Sequence, residues 1–491
     1  MEPPSQRVNN PPNAASLMFT ARSFGKYDLA AAIADLIDNS IKAKSTLVEI
    51  SCPFLDGYPE VRIRDDGTGM SKGELLTAMR PACINPNDDR SPDDLGRFGW
   101  GMKSASFSQC KILTVITQSE NEINGASWNL DDIDDWAMNV YEADNALAKL
   151  SRPFKGCSGT ELIWTNCDRL SEGHSTTQEL FNELIMTARR KLSLIFHRYL
   201  NGEAGIKEFE ITINGTPIDR VDPYCSTNDA TIPSPEEVTN LPNERQIRMK
   251  AFTLPHFSKL TNEEYELSEG EEGYVKNQGF YIYRNYRLIM HGTWFQLAKH
   301  GELSKLVRIR VDIPNSLDDM WKITVDKSDA QLPVALRKRM KDLIDGFRIT
   351  SSRVFRSKGG KIGCDSISSV WQRHSKNQTI KYSINRTHPY ITALKETLPL
   401  DNRGQLVDLL QLIETEIPID AIFSEVSANP QKVLQNSSSK EDFLKQISRT
   451  IPFLMTHHKN IDELIAILKN SEPYSSNWPV VEEHLKAEKI I

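Results

Sequence analysis

Ala34-Asp35-Leu36-Ile37-Asp38-Asn39-Ser40 sits inside a longer run, Leu29 to Lys42, in which Leu29, Ile33, Leu36, Ile37 and Ile41 recur every three to four residues. That spacing predicts a helix with one apolar stripe, and it puts Asp28, Asp35, Asn39 and Lys42 on the opposite side. Ala30, Ala31, Ala32 and Ala34 favour a helix and are small, so a ligand could lie close against it. One face packs and the other is available for binding. Alone, such a helix carries no function, because a polar face most often meets only water.

Two segments further on change that reading. Val61-Arg62-Ile63-Arg64 alternates as a strand does and runs into Asp65-Asp66-Gly67-Thr68-Gly69-Met70. Gly67 and Gly69 permit a tight turn and leave backbone open to a flat ligand. Next, Gly96-Arg97-Phe98-Gly99-Trp100-Gly101-Met102-Lys103 precedes the helix-compatible Ser104-Ala105-Ser106-Phe107. Glycine amides, a helix start and the charge of Lys103 together suit an anion.

In this order, with Asp94-Leu95 leading into the glycine-rich loop and a Gly159-Thr160 pair opening the strand-like Glu161 to Trp164, the sequence resembles the GHKL ATPases of the Bergerat nucleotide-binding fold. Within them it is similar to the bacterial MORC/MutL-like ATP-binding proteins. The resemblance implies ATP and magnesium as cofactors. It points to Asn39 as the residue that holds magnesium on the triphosphate, a hard-oxygen ligand for a cation that keeps several waters. It points to Asp65 as acceptor for the adenine amino group, with Thr160 supporting the same edge. Gly67, Gly69, Met70, Gly96, Arg97, Phe98, Gly99, Trp100, Gly101, Met102 and Lys103 complete the implied nucleotide contacts. The polar, Pro-rich residues from Met79 to Asp94 would form a lid.

Catalysis rests on two positions. The family's general base is usually a Glu four residues before the Asn, and this chain has Asp35 there, shorter by one methylene or about 1.5 Å. A misplacement of about 1 Å can cost on the order of a hundredfold in rate, so slow hydrolysis is the expectation. The resemblance further implies a lysine from a second, transducer-type domain reaching the γ-phosphate. Lys327 is the candidate and Lys322 the second choice.

The 491 residues, 39% hydrophobic and 25% charged, suit a soluble multidomain protein. No apolar run reaches the roughly 20 residues of a membrane span, and no basic-then-apolar leader opens the chain, so a cytoplasmic protein without membrane contact is expected. Seven scattered cysteines with no Cys-x-x-Cys pair argue against a zinc site or a disulfide framework. The expected layout is a flexible arm at 1–16, an α/β-sandwich ATP-binding domain at 17–175, an α+β transducer-type domain at 176–350 and a mainly helical region at 351–491. In the last, Leu406, Leu409, Leu410 and Ile413 form one apolar stripe.

A net charge of −7 gives no global attraction to nucleic acid, so any such contact must be local. Between Arg337 and Lys361 nine basic residues face Asp342 and Asp345, a candidate surface for duplex DNA. What the resemblance implies as a whole is an ATP-gated homodimeric clamp, DNA-directed, serving bacterial restriction or phage defence beside operon-encoded helicases or nucleases. The alternative is an ATP-binding switch or scaffold that recruits proteins with little or no hydrolysis.

Overall fold

The computed structural model describes residues 9–10, 12–23, 27–83, 99–133, 136–170, 176–203, 208–241, 245–255, 259–261, 273–301, 304–324, 327, 330–344, 368–376, 379–419, 421–422, 440–457 and 460–490. Two compact units divide the chain, Met1–Leu254 with Asn262–Phe347, and Pro255–Thr261 with Arg348–Ile491.

The first unit contains two sheets. The larger is built from β1 (Leu47–Ser51), β4 (Val61–Asp65), β5 (Ile112–Ser119), β6 (Glu122–Asn129), β7 (Asn139–Tyr141), β8 (Gly159–Thr165), β9 (Glu210–Ile213) and β10 (Thr216–Pro217). Its order is β10-β9-β1-β4-β8-β5-β6-β7, antiparallel except where β1 meets β9; a small hairpin, β2 (Phe54–Leu55) and β3 (Tyr58–Pro59), stands apart. Strand alternation separates two faces. On one, Val48, Ile50, Ile63, Val115, Leu162 and Trp164 meet α2 (Leu29–Lys42), α4 (Gly101–Phe107) and α6 (Gln178–Ile195) in a single core. On the other, Ile116 and Ile163 pack with Ala146 of α5 (Ala143–Leu147).

α2 forms as its sequence demands, with Asp28 accepting from the Ala31 amide as N-cap and Leu29, Ile33, Leu36 and Ile37 buried. Its other side departs from expectation. Asp28, Asn39 and Lys42 are exposed, but Asp35 is buried. α1 (Ala14–Ala21), capped by Asn13, likewise begins inside the stretch read as an arm.

The smaller sheet runs β11 (Ile232–Pro233), β13 (Gln246–Thr253), β16 (Val307–Ile313), β14 (Gly279–Arg284), β15 (Arg287–Thr293), with β12 (Glu237–Asn240) also paired to β13. Ile247, Met249, Phe280, Ile282, Ile309, Val311 and Trp321 form its core, which the helix at 334–344 covers with Leu336, Met340 and Ile344.

The second unit is mainly helical, with Lys440–His457, Ile461–Lys469 and Trp478–Ala487 packed through Phe443, Ile447, Ile451, Leu464, Leu468, Val481 and Leu485. A hairpin of β17 (Trp371–Lys376) and β18 (Thr379–Ile384) precedes them, in a region whose sequence reads as helical. No residue of the helix Leu400–Thr415 is buried, so its Leu406-Leu409-Leu410-Ile413 stripe covers none of this core. The chain therefore has the expected class, mixed α/β with a large sheet and a mainly helical C-terminal region; α6, β9 and β10, read as part of a second domain at 176–350, instead belong to the large sheet and its core. No helix among the described residues is long and apolar enough to cross a membrane.

Candidate functional site

The site starts as a row across three neighbouring strands. Cα partners Asp65 and Thr160 join β4 to β8, and Thr160 and Thr117 join β8 to β5, so all three side chains emerge on the helix-covered face. Asp65 accepts from the Ser40 hydroxyl at 2.9 Å and the Gly67 amide at 2.9 Å. The hydroxyls of Thr160 and Thr117 lie 3.1 Å apart, and Thr117 accepts from the Met70 amide at 2.9 Å. Burial pushes the Asp65 carboxyl up to about 6 against the pull of those two donors.

Above the row lies a cavity of about 400 Å³, lined by Asp35, Asn39, Asp65, Gly69, Met70, Gly99, Gly101, Met102, Lys103, Thr160 and Lys327 among others. The structure thus gathers at one place residues nearly 300 positions apart. Gly67 and Trp100 do not line it. At Gly67 an added Cβ would stand 2.7 Å from the Ala43 Cβ, so this glycine lets the turn pack on the end of α2. At Gly69 (φ +66) an added Cβ would stand 1.8 Å from the Gln118 carbonyl oxygen, so this glycine serves the approach to β5. Packing explains both glycines, and of the two only Gly69 also lines the cavity. Gly96, Arg97 and Phe98, and the lid stretch from 84 to 94, lie outside the described residues.

Lys103 sits in the first turn of α4, buried, and donates to the Ala78 carbonyl at 2.7 Å. Burial lowers its amine to about 8, so it still carries its proton at neutral pH.

The far end of the cavity is closed by the smaller sheet. Lys327 Nζ bonds Asp35 Oδ1 at 2.8 Å and Asp38 Oδ2 at 2.7 Å. Arg287, on β15, places Nε 2.9 Å from Asp38 Oδ2 and Nη2 3.6 Å from Asp35 Oδ1. On its other oxygen Asp35 accepts from the Tyr27 hydroxyl at 2.6 Å. Two carboxylates three residues apart on one buried helix face would repel; two cations, Arg287 from β15 and Lys327 from a loop, offset them. Arg284 and Asp318, paired at 2.7 Å, form a further charged wall. Lys322, by contrast, is exposed.

Among the described residues no group of three or more His, Cys, Asp or Glu could hold a metal ion. Asn39, exposed to the cavity, offers one neutral hard oxygen, a donor set that fits magnesium carried in on phosphate oxygens and water and does not fit a protein-caged metal. When bound, magnesium would neutralise phosphate charge.

Sequence reasoning passed over Ser40, Thr117, Tyr27, Asp38 and Arg287. Ser40 and Asp38 stood within the deciding motif, where the i, i+3 spacing of Asp35 and Asp38 was a usable signal. The other three are placed only by the strand register and the packing of the second sheet.

We expect Asp65→Asn to bind ATP at least about tenfold more weakly, since a charged acceptor held toward the cavity by the Ser40 hydroxyl and the Gly67 amide becomes a neutral carboxamide that must also seat an NH₂ group there. Its stability should move the other way. Asp65 holds its proton more tightly folded (about 6) than unfolded (3.8), so the cost of ionising it is absent below about pH 4 and grows as pH rises through 6. The variant's unfolding free energy should therefore equal the parent's near pH 4 and exceed it by about 2–3 kcal/mol at pH 7.5. Denaturant curves at the two pH values check this.

Residues 27–158 match the family described as histidine kinase-, DNA gyrase B-, and HSP90-like ATPase. A 92-residue stretch, 19% of this chain, is 29% identical to ATPase morc-1 of Caenorhabditis elegans and covers 10% of that protein. The chain thus spans a tenth of the curated relative it matches. The cavity's lining from Asp35 to Val115 lies within the matched residues, while Thr160, Arg284, Asp318 and Lys327 lie beyond them, and residues 27–158 accordingly form a GHKL-type ATPase domain, MORC-like in sequence, as the chain's ATP-binding module.

Proposed function

We propose that this chain is a magnesium-dependent ATPase that works as an ATP-gated dimeric clamp. The observation that carries the reading is the meeting of Asp35, Asn39 and Lys327 at one end of a single cavity. In this reading ATP lies with its base on Asp65 and Thr160 and its third phosphate toward Lys327. A water attacks the γ-phosphorus, its proton passes to Asp35, and the bond to the bridging oxygen breaks to leave ADP and phosphate. Lys103 and Lys327 offset the charge spread over the phosphoryl oxygens. Binding closes two domains about a twofold axis, and hydrolysis reopens them.

DNA is the proposed track. On the helix 334–344, Arg337, Lys338 and Lys341 are exposed, whereas Arg339 pairs with Glu237; Arg348 to Lys361 lie outside the described residues. The bacterial restriction or phage-defence setting, with helicase or nuclease partners, rests on sequence resemblance alone.

One observation favours a second reading, an ATP-binding switch that recruits partners with little turnover. Both oxygens of Asp35 are engaged, one by Lys327 and one by Tyr27, and neither is turned freely toward a water.

Steady-state ATP hydrolysis with magnesium, with and without duplex DNA, separates the two, with sedimentation in an imido-bridged ATP analogue run alongside. Turnover, its stimulation by DNA and analogue-dependent dimers are expected. ATP binding without turnover in either condition would give the switch reading precedence, and monomers in saturating analogue would remove the clamp.

A further inference from the structure

Lys327 is held in an unusual way. Its backbone lies in the left-handed region (φ +49), a conformation a lysine adopts only against a steric cost, and such strain persists where surrounding bonds enforce it. Two groups hold it there: the Lys327 amide donates to the Thr324 carbonyl at 3.0 Å, and on the other side stands Arg287. Its Nη1 donates to the Lys327 carbonyl at 3.3 Å while its Nε holds Asp38. Asp38 in turn accepts from the Lys327 amine at 2.7 Å. One guanidinium thus fixes Lys327 at its backbone and, through Asp38, at its tip. All of this is nearly dry, with Asp38 and Arg287 each 2% exposed.

We propose that Arg287 and Asp38 are positioning residues, a fixed seat from which Lys327 moves to the terminal phosphate. This rests on the reading of Lys327 given above and deepens it. Four charges balance in the seat, two carboxylates against two cations. When Lys327 turns to a third phosphate it leaves Asp35, while Asp38 keeps Arg287. The same movement therefore charges the phosphate end of the cavity and uncovers an oxygen of Asp35 for the attacking water. A nucleoside diphosphate presents nothing to draw Lys327 away, so the seat makes both triphosphate preference and exposure of the base depend on one lysine.

The test compares the unmodified chain with Lys327→Met, the charge-balanced pair Asp38→Asn with Arg287→Gln, and Arg287→Lys. ADP and the imido-bridged ATP analogue are titrated into each by calorimetry, and turnover is measured in parallel. ADP affinity is expected to stay within about threefold throughout. The preference for triphosphate over ADP should fall about tenfold or more in Lys327→Met and in the double variant, with turnover falling alongside, because a charge-assisted bond is lost or misplaced. A purely structural seat would lower the melting temperature and leave that preference intact. If Lys327→Met loses preference and turnover while the double variant keeps both, the seat is wrong and the lysine's role stands. If Lys327→Met itself keeps both, the role fails and the seat falls with it. Should the double variant not fold, Arg287→Lys decides, since it keeps a cation by Asp38 but cannot hold the Lys327 carbonyl at the same time. An unchanged preference there overturns the proposal.

Discussion

Asp35→Asn is expected to lower ATP turnover by about 10²–10⁴-fold, the range that a positioned proton acceptor contributes. Binding should not suffer. Asn has the same reach and keeps an oxygen for Lys327, so the contacts that hold Asp35 at 2.8 Å from that amine survive in outline. What disappears is a negative charge facing Lys327 and Arg287, which leaves this end of the cavity one unit more positive and better suited to a polyphosphate. Affinity for the imido-bridged analogue should therefore be unchanged or tighter. Single-turnover hydrolysis with saturating enzyme isolates the chemical step from release. A variant that hydrolyses within threefold of the parent would sink Asp35 as the proton acceptor. A parent with no turnover leaves the switch reading, in which Asp35 serves only to hold Lys327.

This expectation also shows where the sequence was informative. The helix, the Asp-x-Gly-x-Gly turn and the Gly-Thr strand start are local patterns, each within a dozen residues, and local pattern is what periodicity and turn chemistry encode. Asp65 and Thr160, 95 residues apart in sequence, could be brought together in advance only because a family resemblance implies that both meet one adenine edge; the strand register that makes them Cα partners is not local pattern. The charge state around Asp35 was not legible. Helical spacing put it on a polar face, but whether that face meets water or a second sheet depends on β15 and on the loop bearing Lys327. No local signal marks Arg287 as different from the other arginines of its sheet. A clear pattern also has limits: Val307-Arg308-Ile309-Arg310-Val311 alternates as a strand and forms one, yet Arg308 on its polar register is buried. In the second unit the stripe on Leu400–Thr415 has helical period and forms a helix, but period alone does not say what covers it.

The largest loss of stability is expected from a residue on the opposite side of the same strand. Glu161 follows Thr160 on β8 and so points away from the cavity, where it is fully buried. Its Oε1 accepts from Arg62 at 2.9 Å and from the Ser151 amide at 3.2 Å; its Oε2 accepts from Arg64 at 2.8 Å and the Ser151 hydroxyl at 3.0 Å. Arg64 continues to the carbonyls of Arg152 and Pro153 and lies 4.2 Å over the ring of Phe154. That ring in turn abuts Gly159, where an added Cβ would meet it at 2.7 Å. One carboxylate therefore ties the segment at 149–154 to β4 and β8 behind the nucleotide row. Truncation in Glu161→Ala removes the shared anion from two guanidiniums and leaves a space, and about 3–5 kcal/mol of unfolding free energy should go with it. Glu161→Gln keeps an acceptor and the volume, so a smaller loss of about 1–3 kcal/mol is expected. Since the side chain faces away from Asp65 and Thr160, ATP affinity measured on the folded fraction should move less than threefold in either variant, and added nucleotide should recover part of the lost melting temperature by mass action. An Ala variant as stable as the parent would show that this ion network contributes nothing net. A stable variant that no longer binds ATP would show that the two faces of β8 are coupled, and that the nucleotide row depends on the segment behind it.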